Sequence, residues 1–235
     1  MASATITWLG HAATQIETQG KTILVDPWIK NNPVTPESAK HIGKVDLILI
    51  SHGHADNMGD VVEIAKQQQP VIMAMNELCG YLSSQGAEHC SGGNTGGSQR
   101  WEGARITLTD AIHSSSVEVD GKPQYAGLSV GFMIALPGGP TIYHAGDTAL
   151  FAGMELLGRL YKPDLALLPI GDYFTMGPPE AAEAIRLLGV KHVIPIHYGT
   201  FPVLTGTVDE LRRHASDIQG LNIQELKPGE SLHLG

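Results

Sequence analysis

The chain lacks the features that would tie it to a membrane, a nucleic acid or a disulfide scaffold. No apolar run in its 235 residues reaches the roughly 18 residues of a bilayer span, so no membrane association is expected. Lys and Arg number 15 against 24 Asp and Glu, for a formal net charge of −9. They form no basic cluster, which argues against a nucleic-acid partner, because neutralising phosphates takes a basic stripe. There are only two cysteines, Cys79 and Cys90, without close spacing. They are expected to be two separate, inert thiols in a reducing cytosol. The first residues show no basic region followed by an apolar run, so no secretory leader is expected.

What the chain does have is a hydrophobic fraction of 42% and eleven histidines. The first is enough for a sizeable core, and the length suits one domain over residues 1–235. The histidines matter most in the stretch Ser51-His52-Gly53-His54-Ala55-Asp56-Asn57-Met58-Gly59-Asp60. It follows Val45-Asp46-Leu47-Ile48-Leu49-Ile50, an apolar, β-branched run that reads as a buried strand. Two imidazoles one residue apart can turn to the same side of an extended chain, and Asp56 can reach a second point nearby. Imidazole and carboxylate are both ligands for first-row divalent ions, so a metal site is expected.

The opening residues 5–25 alternate as three strands, with a hairpin turn at Gln19-Gly20-Lys21. Residues 29–43 read as a surface loop. A helix is expected from Met58 to Gln68, stopped by Pro70, and a second from Asn76 to Gln85. Ser91 to Gln99, rich in Gly, Ser and Asn, reads as a turn or mobile loop, and Glu118 to Gln124 as a loop that overhangs the site. Strands are expected over 105–112, 128–136, 141–143, 165–170, 193–196 and from Ile223. Helices are expected over 150–161, from Pro178 to Leu188, and over 208–218. Both halves begin with strands and finish with βα units, which suggests two packed sheets with helices outside.

Four strand ends offer metal ligands: His52/His54/Asp56, His113, Asp147 and His197. If those strands share one sandwich and point the same way, their ends meet at one edge. Three imidazoles and two carboxylates would then suffice for a two-metal site with one carboxylate bridging.

The order of these ligands resembles that of the metallo-β-lactamase superfamily. So do Thr7-Trp8-Leu9-Gly10-His11-Ala12-Ala13, Leu24-Val25-Asp26-Pro27, His144-Ala145-Gly146-Asp147-Thr148, Pro169-Ile170-Gly171-Asp172, Phe174-Thr175-Met176 and Ile196-His197-Tyr198-Gly199-Thr200-Phe201-Pro202. Within the superfamily the chain is similar to the uncharacterised metal-dependent hydrolase branch, along essentially its whole length. The resemblance implies an α+β fold, the four-layer αββα sandwich. It implies that His52, His54 and His113 hold a first ion, that Asp56 and His197 hold a second, and that Asp147 bridges. The family's motif carries a further histidine directly after the aspartate, where this chain has Asn57. An amide oxygen is a poorer ligand for zinc than an imidazole. His11, at a strand end in a Gly-His-Ala segment, is the expected replacement.

The implied function is a metal-dependent hydrolase that uses a metal-bound hydroxide on a small ester, lactone or phosphodiester, with Asp56 orienting the hydroxide and accepting its proton. The expected cofactor is one or two divalent ions, zinc first, with manganese, iron or nickel as alternatives. The expected partner is a small-molecule substrate. Oligomeric state stays open, although enzymes of this size often pair. The competing readings are an iron-dependent oxidoreductase on the same scaffold and a non-catalytic metal-binding protein. Asp26, and more weakly Asp172, could hydrogen-bond a ligating imidazole, and His144 could cap the sheet. His41, His89, His192, His214 and His233 read as surface residues. Ser114 to Ser116 have no base and orienting acid independent of the metal ligands, which sets aside a serine hydrolase.

Overall fold

The computed structural model describes residues 2–235. Strands β1 (Ala4–Gly10), β2 (Ala13–Thr18) and β3 (Lys21–Val25) form an antiparallel meander. The β2–β3 turn places Gln19 and Gly20 at φ 48° and 73°, the pair of left-handed residues that a tight hairpin needs. Strand β4 (Leu47–Leu49) joins β3 in parallel. The short helix α1 (Ala55–Met58) and helix α2 (Val61–Gln68) lead to β5 (Val71–Met75), and α3 (Asn76–Ser84) leads to β6 (Cys90–Gly93). The chain then crosses to a second sheet through β7 (Ser98–Trp101) and β8 (Ala104–Asp110). A separate hairpin follows, β9 (Ser116–Val119) and β10 (Lys122–Tyr125), before β11 (Val130–Ala135) and β12 (Thr141–His144). Parallel βα units complete the sheet: α4 (Gly153–Tyr161), β13 (Leu165–Pro169), α5 (Pro178–Leu188), β14 (His192–Ile196), α6 (Val208–His214) and β15 (Asn222–Ile223). Strand β16 (Ser231–Leu234) returns to the first sheet beside β1. The sheet orders are β16-β1-β2-β3-β4-β5-β6 and β15-β14-β13-β12-β11-β8-β7.

The two-residue period of a strand explains the layering. In β13, Leu165 and Leu167 join the core between the sheets, with Ile6, Ile16, Ile23, Phe132 and Ile194. Their neighbours Ala166 and Leu168 turn the other way, into a second core with Met154, Ala181, Ile185 and Leu211 from α4, α5 and α6. On the first sheet, Val61, Ile64, Leu78 and Leu82 bring α2 and α3 into the main core. Strands covered on both faces must be apolar throughout, as β4 and β13 are. The result is the expected αββα sandwich. The parallel strands β3–β4 and β12–β13–β14 send their carboxyl ends into the loops that carry the histidines.

Several expectations need correction. The helix expected from Met58 is two helices broken at Gly59, where an added Cβ would lie 2.5 Å from the Trp28 Cα. The break lets the Asp60 carboxylate accept the N–H groups of Ile29 and Lys30, at 2.7 and 3.0 Å. Residues 91–99 are not a mobile loop but largely edge strands, β6 and β7. Their pairing is made by the backbone, so a Gly/Ser-rich composition hides it, and Gly92 sits where a Cβ would lie 2.8 Å from the Asn76 Oδ1. Residues 118–124 belong to the β9–β10 hairpin, turned at Asp120 and Gly121 with φ 51° and 72°. Asp-Gly was the available signal for that turn. Helix α6 stops at His214, short of Ile218, and the tail holds two strands in different sheets. Cys79 on α3 and Cys90 on β6 are not separate thiols; they are joined as a disulfide. Helix and strand pack against each other there, which brings their Cα atoms to 5.5 Å, a spacing the sequence does not show. The cysteines therefore no longer argue for a reducing compartment. No helix of the described residues is long and apolar enough to cross a membrane.

Candidate metal centre

Five histidines from four chain segments converge at one edge of the sandwich, in two clusters. The potential ligand atoms of His52, His54 and His113 lie within 4.8 Å of one another. His52 Nε2 faces His54 Nδ1 at 2.9 Å. A second cluster, equally tight, joins His11, Asp56 and His197. Asp147 stands between them. Its Oδ2 is 3.0 Å from His197 Nε2, 3.8 Å from His113 Nε2 and 3.9 Å from His52 Nε2.

His11 reaches the second cluster because the backbone bends to bring it there. His11 at the end of β1 and His197 at the end of β14 both adopt the left-handed region, with φ 54° and 56°. Few non-glycine residues do, and such conformations concentrate at functional sites. The N–H of His197 donates to the His11 carbonyl at 2.9 Å, which also accepts from Trp8 Nε1 at 2.9 Å. The His11 Nδ1 meets Thr200 Oγ1 at 3.0 Å, which aims Nε2 towards Asp56, 3.3 Å away. That approach does not make a hydrogen bond, and His11 Nε2 is fully buried without a partner.

The electrostatics favour cation binding. Burial holds His52 neutral, with its pKa lowered to about 3. Burial likewise lowers His11 and His113. A neutral imidazole offers a lone pair rather than a repelling charge. Burial alone would raise Asp147, but the surrounding His197, His52 and His113 hold it well below the usual carboxylate range. Burial would lower His197, and the Asp147 carboxylate overrides it, leaving that pKa raised. Burial would also raise Asp56, yet His11 and His197 keep it low. Three imidazoles held neutral by burial, His11, His52 and His113, stand beside ionised carboxylates, and the His11 Nε2 among them is orphaned, so the donor set fits divalent ions.

Asp26 does not touch an imidazole directly. It accepts from Ser51 N–H and Ser51 Oγ–H, both at 2.7 Å, and the Ser51 Oγ lies 2.9 Å from His52 Nδ1. With its hydrogen given to Asp26, the serine oxygen accepts from His52 Nδ1–H, so the lone pair of His52 is on Nε2, towards the cluster. Ser51 was missed in the sequence, where a small hydroxyl residue directly before His52 is its only trace. Burial raises Asp26 to about 7. Asn57, fully buried, donates from Nδ2 to Asp26 Oδ2 at 3.2 Å and to Asp147 Oδ1 at 3.4 Å. Its amide links two carboxylates, and its Oδ1 has no partner.

The remaining residues fall outside the clusters. Asp172 is an exposed turn residue that accepts the Tyr173 N–H at 2.7 Å and reaches no imidazole. His144 is fully buried rather than a simple sheet cap. Its Nε2 donates to the Ala12 carbonyl at 3.1 Å, and its Nδ1 accepts the Gly146 N–H at 3.2 Å. It thereby ties the segment after His11 to the segment before Asp147. His41, His89, His214 and His233 are exposed and His192 is half-buried. Ser115 Oγ accepts the Gly53 N–H at 3.2 Å, a structural role.

The model of the beta-lactamase superfamily domain matches residues 21–198. A UPF0173 metal-dependent hydrolase of Rubrobacter xylanophilus is 48% identical over 230 residues, 97% of this chain and 95% of that one. The chain belongs to this family of metal-dependent hydrolases in the beta-lactamase superfamily. Within the superfamily, its fold is similar to that of Igni18, a metallo hydrolase from Ignicoccus hospitalis. The TM-score is 0.88 at 34% identity, covering 99% of each chain. An isothiocyanate hydrolase from Delia radicum gut bacteria shares the superfamily fold at 19% identity, with a TM-score of 0.71 over 97% of this chain and 98% of that one.

Proposed function

We propose that this hydrolase cleaves a small ester, lactone or phosphodiester at a two-ion centre, with zinc as the preferred metal. His52, His54 and His113 would hold one ion, His11, Asp56 and His197 the other, and Asp147 would bridge. The supporting observation is the pair of three-residue clusters that share Asp147 as a neighbour. The imidazole-rich donor set suits zinc. A divalent ion held by these residues would supply Lewis-acid chemistry, easing deprotonation of water and polarising a carbonyl or phosphoryl oxygen.

The protein's own groups supply the rest. Asp56 is about one-third exposed and kept ionised by its histidine neighbours, so it can orient water and accept its proton. The Ser51 relay holds His52 in one tautomer. His11 takes the position in the second cluster that the family gives to the histidine after the aspartate, while Asn57 holds Asp26 and Asp147 together.

The test is turnover of 4-nitrophenyl acetate and bis(4-nitrophenyl) phosphate by zinc-reconstituted protein. Activity on at least one substrate should vanish with a chelator and return with added zinc. Turnover indifferent to the chelator, or absent at full metal loading, would remove this reading.

A further inference from the structure

Six of the eight large apolar side chains exposed among the described residues lie in the segments around the metal centre: Ile112, Tyr125, Leu128, Tyr173, Phe174 and Val203. Solvent-exposed apolar residues are ordinary when scattered, but a concentration around a site points to a ligand. Three of them are held on one scaffold. Thr148, the buried residue after Asp147, accepts the Ile112 N–H at its Oγ1 (2.9 Å) and the Met176 N–H at its carbonyl (3.0 Å). It therefore fixes both the segment that delivers His113 and the loop 172–176 beside Asp147.

That loop is built to present aromatic rings. Asp172 and Tyr173 are both in the left-handed region, with φ 64° and 56°. The turn is locked by Asp172 N–H donating to the Met176 carbonyl (3.0 Å) and by Tyr173 N–H donating to the Asp172 Oδ1 (2.7 Å). Two consecutive residues in a disfavoured conformation leave Tyr173 70% and Phe174 53% exposed, their rings edge to face at 4.7 Å. Such strain persists where the surroundings over-determine it, and ligand clamps are one place where it collects. The charge pattern agrees. Segments 51–60, 111–115, 145–152, 170–177 and 197–207 contain no lysine or arginine; of the neighbouring cations, Lys122 stands beside the turn of the β9–β10 hairpin and Lys30 is paired with Glu63. An anionic tail on a substrate would find no cationic side chain in any of those segments.

We propose that the substrate is a neutral molecule with an apolar side group, and that Ile112, Tyr173 and Phe174 form the wall against which that group lies. This rests on the hydrolase reading above and narrows its substrate class towards esters and lactones with aryl or alkyl substituents. The wall holds the side group while the reacting carbonyl lies over the clusters.

The test uses binding, so it does not depend on turnover. Zinc-loaded protein is titrated calorimetrically with acetohydroxamic acid, hexanohydroxamic acid and adipic acid monohydroxamate, which share one metal-binding head. Four extra methylenes lying partly buried should make the hexanoyl compound bind about tenfold tighter than the acetyl one. The terminal carboxylate of the adipic compound should abolish most of that gain. In the Tyr173→Asn/Phe174→Ser double variant the hexanoyl-to-acetyl ratio should fall towards one, and Ile112→Ser should reduce it by a smaller factor. Equal affinities for the acetyl and hexanoyl compounds in the unaltered protein overturn the wall and leave the hydrolase reading standing. So does a ratio unchanged in both variants. Dissociation of a dimer by the double variant assigns these side chains to a second copy of the chain and overturns the proposal. Failure of acetohydroxamic acid to bind the zinc-loaded protein overturns both readings.

Discussion

The main-chain N–H of His197 donates to the carbonyl of His11 at 2.9 Å, and the two imidazole rings lie 3.8 Å apart between centroids. This contact joins the end of β1 in one sheet to the end of β14 in the other. It brings to the second cluster an imidazole from near the start of the chain. His11→Ala should therefore lose about one equivalent of metal and keep the other, because His52, His54 and His113 do not depend on it. Metal content after dialysis measures this. A full second equivalent in the variant would exclude His11 as a ligand.

The Asp26–Ser51–His52 relay makes a separate prediction for the first cluster. In Ser51→Ala the His52 Nδ1 loses its acceptor and Asp26 loses one of its donors. Partners that orient a ligating imidazole typically contribute 10- to 100-fold in affinity. Competition with a chromophoric chelator should show weakening of roughly that size in one of two sites. Equal affinity in variant and parent would mean that His52 is oriented by packing alone.

His144 supplies a prediction about pH. Its folded pKa is lowered to about 4 from an ordinary 6.5, chiefly by burial. Below pH 6.5 the unfolded chain takes up a proton on this ring that the folded chain refuses, so its contribution to stability declines as pH falls from 6.5 to 4. The full span is at most on the order of 3 kcal/mol. Comparing metal-free protein with His144→Gln isolates the effect, since Asp26, which titrates the other way, is common to both. The stability gap between the two, measured by urea unfolding, should narrow across that window. A gap constant with pH would show that His144 is not held neutral.

The Cys79–Cys90 bond closes a short loop between α3 and β6. A cross-link of this sequence separation contributes on the order of 3 kcal/mol by constraining the unfolded chain. Dithiothreitol should therefore lower the melting temperature, and Cys79→Ser/Cys90→Ser should melt at the same lowered temperature with or without reductant. Two titratable thiols in the folded, air-exposed protein would show that the bond does not form.

Alternation, turn residues and apolar runs were enough to place most strands and helices, because each depends on neighbours a few residues away. Ligand-bearing loops could be read as well, since His52, His54, His113, Asp147 and His197 each follow an apolar strand. Composition misled where pairing is made by the backbone, as in β6 and β7, where glycine and serine resemble a loop. It also misled at Gly59, where a close approach to Trp28 breaks what the pattern reads as one helix.

The sandwich and the ligand-bearing strand ends are written in the order of residues, since hydrophobic periodicity and local residue chemistry are properties of neighbouring positions. That His11 stands beside Asp56 and His197, that Asn57 bonds Asp26 and Asp147, and that Ser51 relays between Asp26 and His52 follow from the packed fold alone. Those relations join residues 25 to 186 positions apart or depend on the direction of a single hydroxyl, and they exist only once the two sheets have packed and brought their edges together.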